Sequence, residues 1–318
     1  MKRENYYRDH HRRRRSKLQI RPKGQVMLLI VLLLLLVALL WLGRSAASAV
    51  PAPVSVADTT VFASEIAAPA FVPNVTEQPV FMTDGLELPR IADSTFVISR
   101  PEARYTLLYD TAYRQGAWVA YVLIRAEVGH RGVKREVNNF TADPTARTRK
   151  WPYVVTGDYT RSGYDRGHLL PSADRDDTAE ENSATFHLSN VSPQRPTLNQ
   201  RIWKYLEEEV RRMALRYDTL WIVTGSELRP GLARIGKHGV GVPEHFFKAI
   251  LARDTAGFRT IAFRLPNDTV ISGTFWDYAL SVDRLEGLTG FDFFHTLPDG
   301  IERAVEAEND PGRWKSIP

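Results

Sequence analysis

The chain has 318 residues, 43% of them hydrophobic, no cysteine and a net charge of +5. Without cysteine it can hold neither a disulfide nor a thiolate zinc site, so its stability rests on an ordinary core. The charge is lopsided: residues 1–25 carry ten Lys/Arg against two acids and the remainder 32 against 35, so the bulk of the chain has no cationic surplus that would by itself imply nucleic acid or an anionic surface.

In chain order, residues 1–25 read as a basic cytoplasmic tail. Residues 26–42, "VMLLIVLLLLLVALLWL", are uncharged and just long enough to cross a bilayer as a helix. Ten cations before this run and only Arg44 soon after it predict an N-inside orientation. The expectation is a membrane-anchored protein whose remaining chain is extracytoplasmic, either periplasmic or extracellular. Small residues at Ala47-Ser48-Ala49 support a rival reading, a secretory signal that is cleaved to release the protein. Residues 43–84, rich in Ala, Val, Pro, Ser and Thr, read as a flexible linker, and residues 85–318 as one domain of ordinary composition.

Within that domain, strands are predicted at "WVAYVLI" (118–124), "TFHLSNV" (185–191), "TLWIVTG" (219–225), "FFKAILA" (246–252) and "FRTIAFRL" (258–265), where β-branched and aromatic residues cluster. A helix is predicted over 198–216. Strands with few helices between them point to an α+β fold. At about 100° per residue, Ile202, Trp203, Leu206, Val210 and Met213 form one apolar stripe, with Asn199 at its centre and Glu207 on its flank. Two readings of Asn199 stand open. It caps the first turn, or it is an inward amide that needs a partner, because burying it unsatisfied costs about 1–3 kcal/mol.

The stretch "SGYDRGH" at 162–168 sets Asp165, Arg166, Gly167 and His168 in succession. An imidazole can take a proton from water near physiological pH. A guanidinium can hold phosphate oxygens through two hydrogen bonds, and a carboxylate can orient either group. These four residues alone support a reactive centre and a charged turn equally.

The neighbouring segments add to them: "HLSNVSPQRPTLNQRIWKYLEEEV" at 187–210, "LELPRI" at 86–91, "VPEHFFKAIL" at 242–251 and "FDFFHTLPDGIERAVE" at 291–306. Over roughly residues 85–318 the chain resembles the DNA/RNA non-specific endonuclease family, which includes endonuclease G and secreted sugar-non-specific nucleases. The resemblance implies a ββα-metal (His-Me finger) core with a mixed or antiparallel sheet, and hydrolysis of phosphodiester bonds in DNA and RNA with Mg²⁺, for which Mn²⁺ can substitute. It implies His168 as general base, Asn199 as the direct protein ligand of the ion and Glu207 as a carboxylate that fixes waters around it. Arg166 would hold the phosphate, Asn190 would be a supporting amide and Asp165 an orienting residue.

One departure concerns an arginine that many relatives carry beside the aromatic residue preceding an Asp-Pro pair. Here "KREVNNFTADP" places Asn138 and Asn139 before Phe140, so that either Lys134 or Arg135 substitutes or the contact is absent, and substrate preference is the property this departure bears on. Two other functions stay open: a phosphodiesterase acting on nucleotides or small phosphodiesters through the same site, and an anchored nucleic-acid-binding protein whose site is inactive. His130, His187, His238, His245 and His295 read as structural or surface residues, with His187 inside a core strand.

Overall fold

The computed structural model describes residues 85–129, 133 and 140–315. The expected tail, membrane helix and linker lie outside the described residues, as do Lys134 and Arg135. Among the described residues no helix is long and apolar enough to cross a membrane.

In chain order the strands are β1 Val97–Arg100, β2 Tyr105–Asp110, β3 Gln115–Ile124, β4 Asp165–His168, β5 Val191–Gln194, β6 Thr219–Ser226, β7 Arg234–Ile235, β8 Val240–Gly241, β9 His245–Asp254, β10 Gly257–Pro266 and β11 Ala279–Leu280. The helices are α1 Pro144–Thr148, α2 Ala179–Ala184, α3 Trp203–Tyr217, α4 Val282–Thr289 and α5 Asp299–Glu306. Seven strands form one sheet in the order β1-β2-β3-β6-β9-β10-β11, and β4-β5 and β7-β8 form separate two-stranded ladders. All ladders among the described strands are antiparallel.

The central strands are apolar on both phases of the two-residue repeat because both faces of the sheet are covered. Val119, Tyr121 and Leu123 of β3 and Phe246 and Ile250 of β9 pack in the layer that holds Leu206, Val210 and Met213 of α3. The alternate residues Trp118, Ala120, Phe247, Ala249 and Leu251 pack with Val282 and Leu285 of α4 and with Phe293 and Phe294. Each large side chain buried this way contributes about 1.5–3 kcal/mol. Lys248 breaks the pattern: it shares the phase of Phe246 and Ile250 and is 0% exposed.

The β4-β5 ladder has a small core of its own, Val154, Tyr159, Leu188, Val191 and Val240. Its register pairs Asp165 with Gln194, Arg166 with Pro193, Gly167 with Ser192 and His168 with Val191. Gly167 is required for close approach, since a Cβ there would collide with the Gln194 side chain.

Two expectations are corrected. Residues 185–191 are not a strand: α2 ends at Ala184, Leu188–Asn190 is a 3₁₀ turn and β5 starts only at Val191. His187 makes a single bridge to Thr141 rather than sitting in a sheet. The apolar spacing there serves packing of a turn, because Asn190 diverts the backbone into side-chain hydrogen bonds. The helix expected from 198 also does not begin as an α-helix. Residues Leu198–Ile202 are π-wound, with the Trp203 N–H donating to the Leu198 carbonyl, and regular α geometry starts at Trp203. A π turn alters the angular offset between side chains on either side of it, so a uniform rotation per residue does not hold from Asn199 to Leu206.

Candidate active site

Strand alternation divides the tetrapeptide of β4 into two pairs. Arg166 and His168 face Phe140: the Arg166 guanidinium lies 4.4 Å from the centre of that ring, and the His168 imidazole lies 5.2 Å from it. Phe186 meets the imidazole edge-on at 5.0 Å, so His168 is held between two aromatic rings and is 8% exposed. Phe140 is itself carried into place by the segment that enters α1. There Asp143 caps the helix by accepting from the Thr145 and Ala146 N–H groups, pairs with Arg100 at 2.7 Å and accepts from the Ser189 hydroxyl.

Asp165, on the opposite phase, meets the π turn. Its Oδ2 accepts from Asn199 Nδ2 at 2.9 Å and from Gln200 Nε2 at 2.8 Å. Asn199 therefore makes no cap. Its amide nitrogen is committed to Asp165, which turns Oδ1 away from that carboxylate. The contact joins residues 34 positions apart, and it links the hairpin to the start of the long helix.

Asn190 is fully buried and bonds to backbone alone. Oδ1 accepts from the Leu170 N–H at 2.9 Å, and Nδ2 donates to the carbonyls of Leu170 at 3.0 Å and Thr185 at 2.8 Å. With both amide hydrogens committed, Asn190 acts on the site by holding the chain that follows His168.

Glu207, half-buried on α3, faces a charged group that includes the buried Lys248 and Asp174. Burial pushes its carboxyl up to about 7, against the pull of Lys248 and Arg211 and with the help of Asp174. Burial pushes Lys248 down to about 8, opposed by Glu207 and Asp174. The Lys248 ammonium also lies 5.3 Å from the Trp203 ring and 5.8 Å from Tyr121. Asp174 accepts from Tyr121 Oη at 3.1 Å and from Arg211 Nη1 at 2.9 Å.

Sequence reasoning missed Phe140 as the shared wall of Arg166 and His168, Gln200 as a second donor to Asp165, and Lys248 beside Glu207. Lys248 had a legible signal: a cation on the apolar phase of a β-strand needs a buried anion. Of the other histidines, His238 pairs with Asp158 through Nδ1 at 2.8 Å, and His245 stands 3.7 Å from Glu227.

Asn199 and Glu207 each offer an oxygen donor of the hard kind that suits Mg²⁺, but Glu207 interacts with Lys248, Asp174 and Arg211, whereas Asn199 is joined to Asp165.

Comparison with known proteins gives a consistent result. A family described as DNA/RNA non-specific endonuclease matches residues 94–300. A nuclease of Nostoc sp. is 36% identical over 216 residues, covering 65% of this chain and 77% of its own length. Human mitochondrial endonuclease G is 33% identical over 212 residues, covering 63% of this chain and 69% of its own length. A crystal structure of an EndoG/EndoGI complex superposes with a TM-score of 0.59 at 26% identity, covering 64% of this chain and 86% of that one.

Proposed function

The chain belongs to the DNA/RNA non-specific endonuclease family, and from that premise we propose that it is a Mg²⁺-dependent enzyme that cleaves DNA and RNA with little sequence preference. It is a nuclease, and hence a hydrolase. The observation that carries the finer reading is the Asp165 carboxylate, which orients Asn199 on the helix entry while the alternate phase of the same strand presents Arg166 and His168 against Phe140.

In this reading a ring nitrogen of His168 takes the proton of the attacking water, so that the water oxygen bonds to phosphorus as the bond to the 3′ oxygen breaks. Arg166 holds the scissile phosphate through its paired N–H donors. Asn199 Oδ1 would be the direct ligand of the ion, and Glu207 would act on it through water. The ion, when bound, stabilises charge on the phosphate oxygens and on the departing oxygen. Phe140 and Phe186 keep the imidazole in one orientation, and Asp165 keeps the Asn199 oxygen available.

Cleavage of supercoiled plasmid and of RNA by the purified chain with Mg²⁺, and again with EDTA, tests the proposal. Metal-dependent loss of both polymers supports it. Cleavage of model phosphodiesters alone would assign the site to small substrates, and binding without hydrolysis in Mg²⁺ or Mn²⁺ would make the protein a nucleic-acid-binding module.

Asp165→Ala is expected to raise the Mg²⁺ concentration for half-maximal rate by about 10–100-fold, the usual effect of losing a residue that orients a ligand. The rate at saturating Mg²⁺ should change far less. An unmoved Mg²⁺ requirement would remove Asp165 from the orienting role.

Low sequence preference implies recognition of backbone phosphate. Arg166 and three arginines close to the hairpin and helix entry in the chain, Arg161, Arg195 and Arg201, are the candidates for phosphate contact, with the Arg195 guanidinium 4.1 Å from the centre of the Tyr164 ring. If all four contact phosphate, log K for duplex binding falls with log salt at a slope of about −3.6, at about 0.9 per contact. A slope near zero, measured with an uncleavable duplex, would contradict backbone recognition.

The proposed arrangement of the whole chain is a cytoplasmic tail at 1–25, a membrane helix at 26–42, a linker at 43–84 and an extracytoplasmic nuclease domain at 85–318. Its support is the charge asymmetry about the apolar run. Protease added to cells, stripped of any outer membrane, should remove the nuclease domain and spare the tail. Recovery of the domain in the medium with a new N-terminus near residue 49 would favour signal cleavage.

A further inference from the structure

The face of the sheet opposite α3 carries an acidic group that the nuclease reading does not use. Asp283 and Glu286 stand one helical turn apart on α4, and Glu306 is the last residue of α5. A carboxylate oxygen from each of the three lies within 4.8 Å of the others. Acidic residues often gather on a surface without consequence, but Glu306 is only 4% exposed and its Oε1 has no hydrogen-bond partner among the described residues. A buried carboxylate oxygen left unsatisfied is costly in either protonation state, since the ionised form needs a donor or a cation and the neutral form needs an acceptor for its proton.

We propose that Asp283, Glu286 and Glu306 bind a calcium ion that ties α5 to α4. One oxygen from each carboxylate lies within 4.8 Å of the others, close enough to share one ion, and calcium takes several carboxylates in flexible geometry. Magnesium keeps most of its waters and is usually held by one or two carboxylates, so three protein carboxylates favour calcium. Glu286 is already positioned, because its Oε1 accepts from the Phe293 N–H at 2.7 Å. Asp283 is exposed and gives solvent access for entry and for completing waters.

Glu302 and Asp292 add negative charge around these carboxylates, and the guanidinium of Arg90 is already paired with Asp292. The ion would hold the end of α5, whose Ile301 and Val305 pack on the core and whose Val305 carbonyl accepts from the Thr260 hydroxyl at 2.6 Å. Glu306 lies beyond the residues matched by the family, 94–300.

The test is Ca²⁺ binding by calorimetry and thermal unfolding of the 318-residue chain. Asn199→Ala is the background throughout, so that the centre at the hairpin does not contribute. Asn199→Ala is expected to bind one equivalent of Ca²⁺ and to gain several degrees in Tm. Adding the isosteric Glu306→Gln should abolish both. Equal binding and equal Tm shifts in the two proteins, or no binding by either, would overturn the proposal and leave the carboxyls sharing protons. Should Glu306→Gln fail to fold, the exposed Asp283→Asn takes its place with the same expectations. No turnover is read, so failure here leaves the nuclease reading untouched.

Discussion

His168→Ala is expected to slow cleavage of plasmid and RNA by about 10²–10⁴-fold, the range typical for losing a general base, and to leave a folded protein. The distinction matters because His168 is also part of the packing. Its ring contacts Phe140 and Phe186, and aromatic pairs of this kind contribute about 0.5–1.5 kcal/mol each beyond their buried area. Some loss of stability is therefore expected, but the hairpin does not depend on the ring. The backbone of β4 remains paired with β5 from Asp165 to His168, and Asn190 still holds Leu170 on both sides. Activity and unfolding midpoint measured on the same preparation separate the two effects. Turnover within a few-fold of wild type would refute the assignment of the base. A rate loss accompanied by an unfolded chain would be answered by His168→Gln, which keeps volume and polarity without offering a base.

The second large effect concerns stability. Arg175→Ala is expected to cost about 3–5 kcal/mol, the range for stripping a buried charged group from its partners. Arg175 is 1% exposed and bonds to four backbone carbonyls: Ala103 through Nε at 2.6 Å, Asp174 through Nη1 at 2.6 Å, and Arg104 and Val122 through Nη2 at 3.1 and 2.9 Å. Burial draws its guanidinium below the ordinary arginine range, with Glu127 and Asp174 opposing. The fork joins the loop after β4 to β3 and to the turn before β2, and alanine would leave several buried carbonyls without donors. Against a total of about 5–15 kcal/mol for a typical domain, such a loss removes at least about a fifth of the stability and, in a marginal domain, most of it. Arg175→Lys should recover only part of it, because an ammonium cannot reproduce the planar fork. Denaturant unfolding reads the change directly, and a shift below about 1 kcal/mol would show that the carbonyls find other donors. The adjacent Asp174 connects to Tyr121 and Arg211, so the substitution should also disturb the surroundings of Glu207.

Much of the sheet was legible in the chain itself. The runs at 118–124, 219–225, 246–252 and 258–265 all fall within strands, at β3, β6, β9 and β10, because a covered strand must be apolar on both phases over a short window. The run at 185–191 had a similar composition and yet became a turn. Asn190 in its midst takes up the backbone groups of Leu170 and Thr185, a competition that composition does not reveal. The π turn at Leu198–Ile202 was hidden for a related reason, since it satisfies contacts made by Asn199 and Gln200 to a strand 34 and 35 residues away.

The sequence by itself determined the composition of the motif at 162–168, the family, and the asymmetry between a basic front and a nearly neutral bulk. Only the tertiary structure decided that Asp165 meets Asn199, that one aromatic ring serves both Arg166 and His168, that Lys248 lies under Glu207, and that Glu306 closes on Asp283 and Glu286. The physical reason is that periodicity and turn chemistry act within a few residues of one another, whereas these contacts join segments whose approach is set by sheet register and by the packing of helices on its two faces.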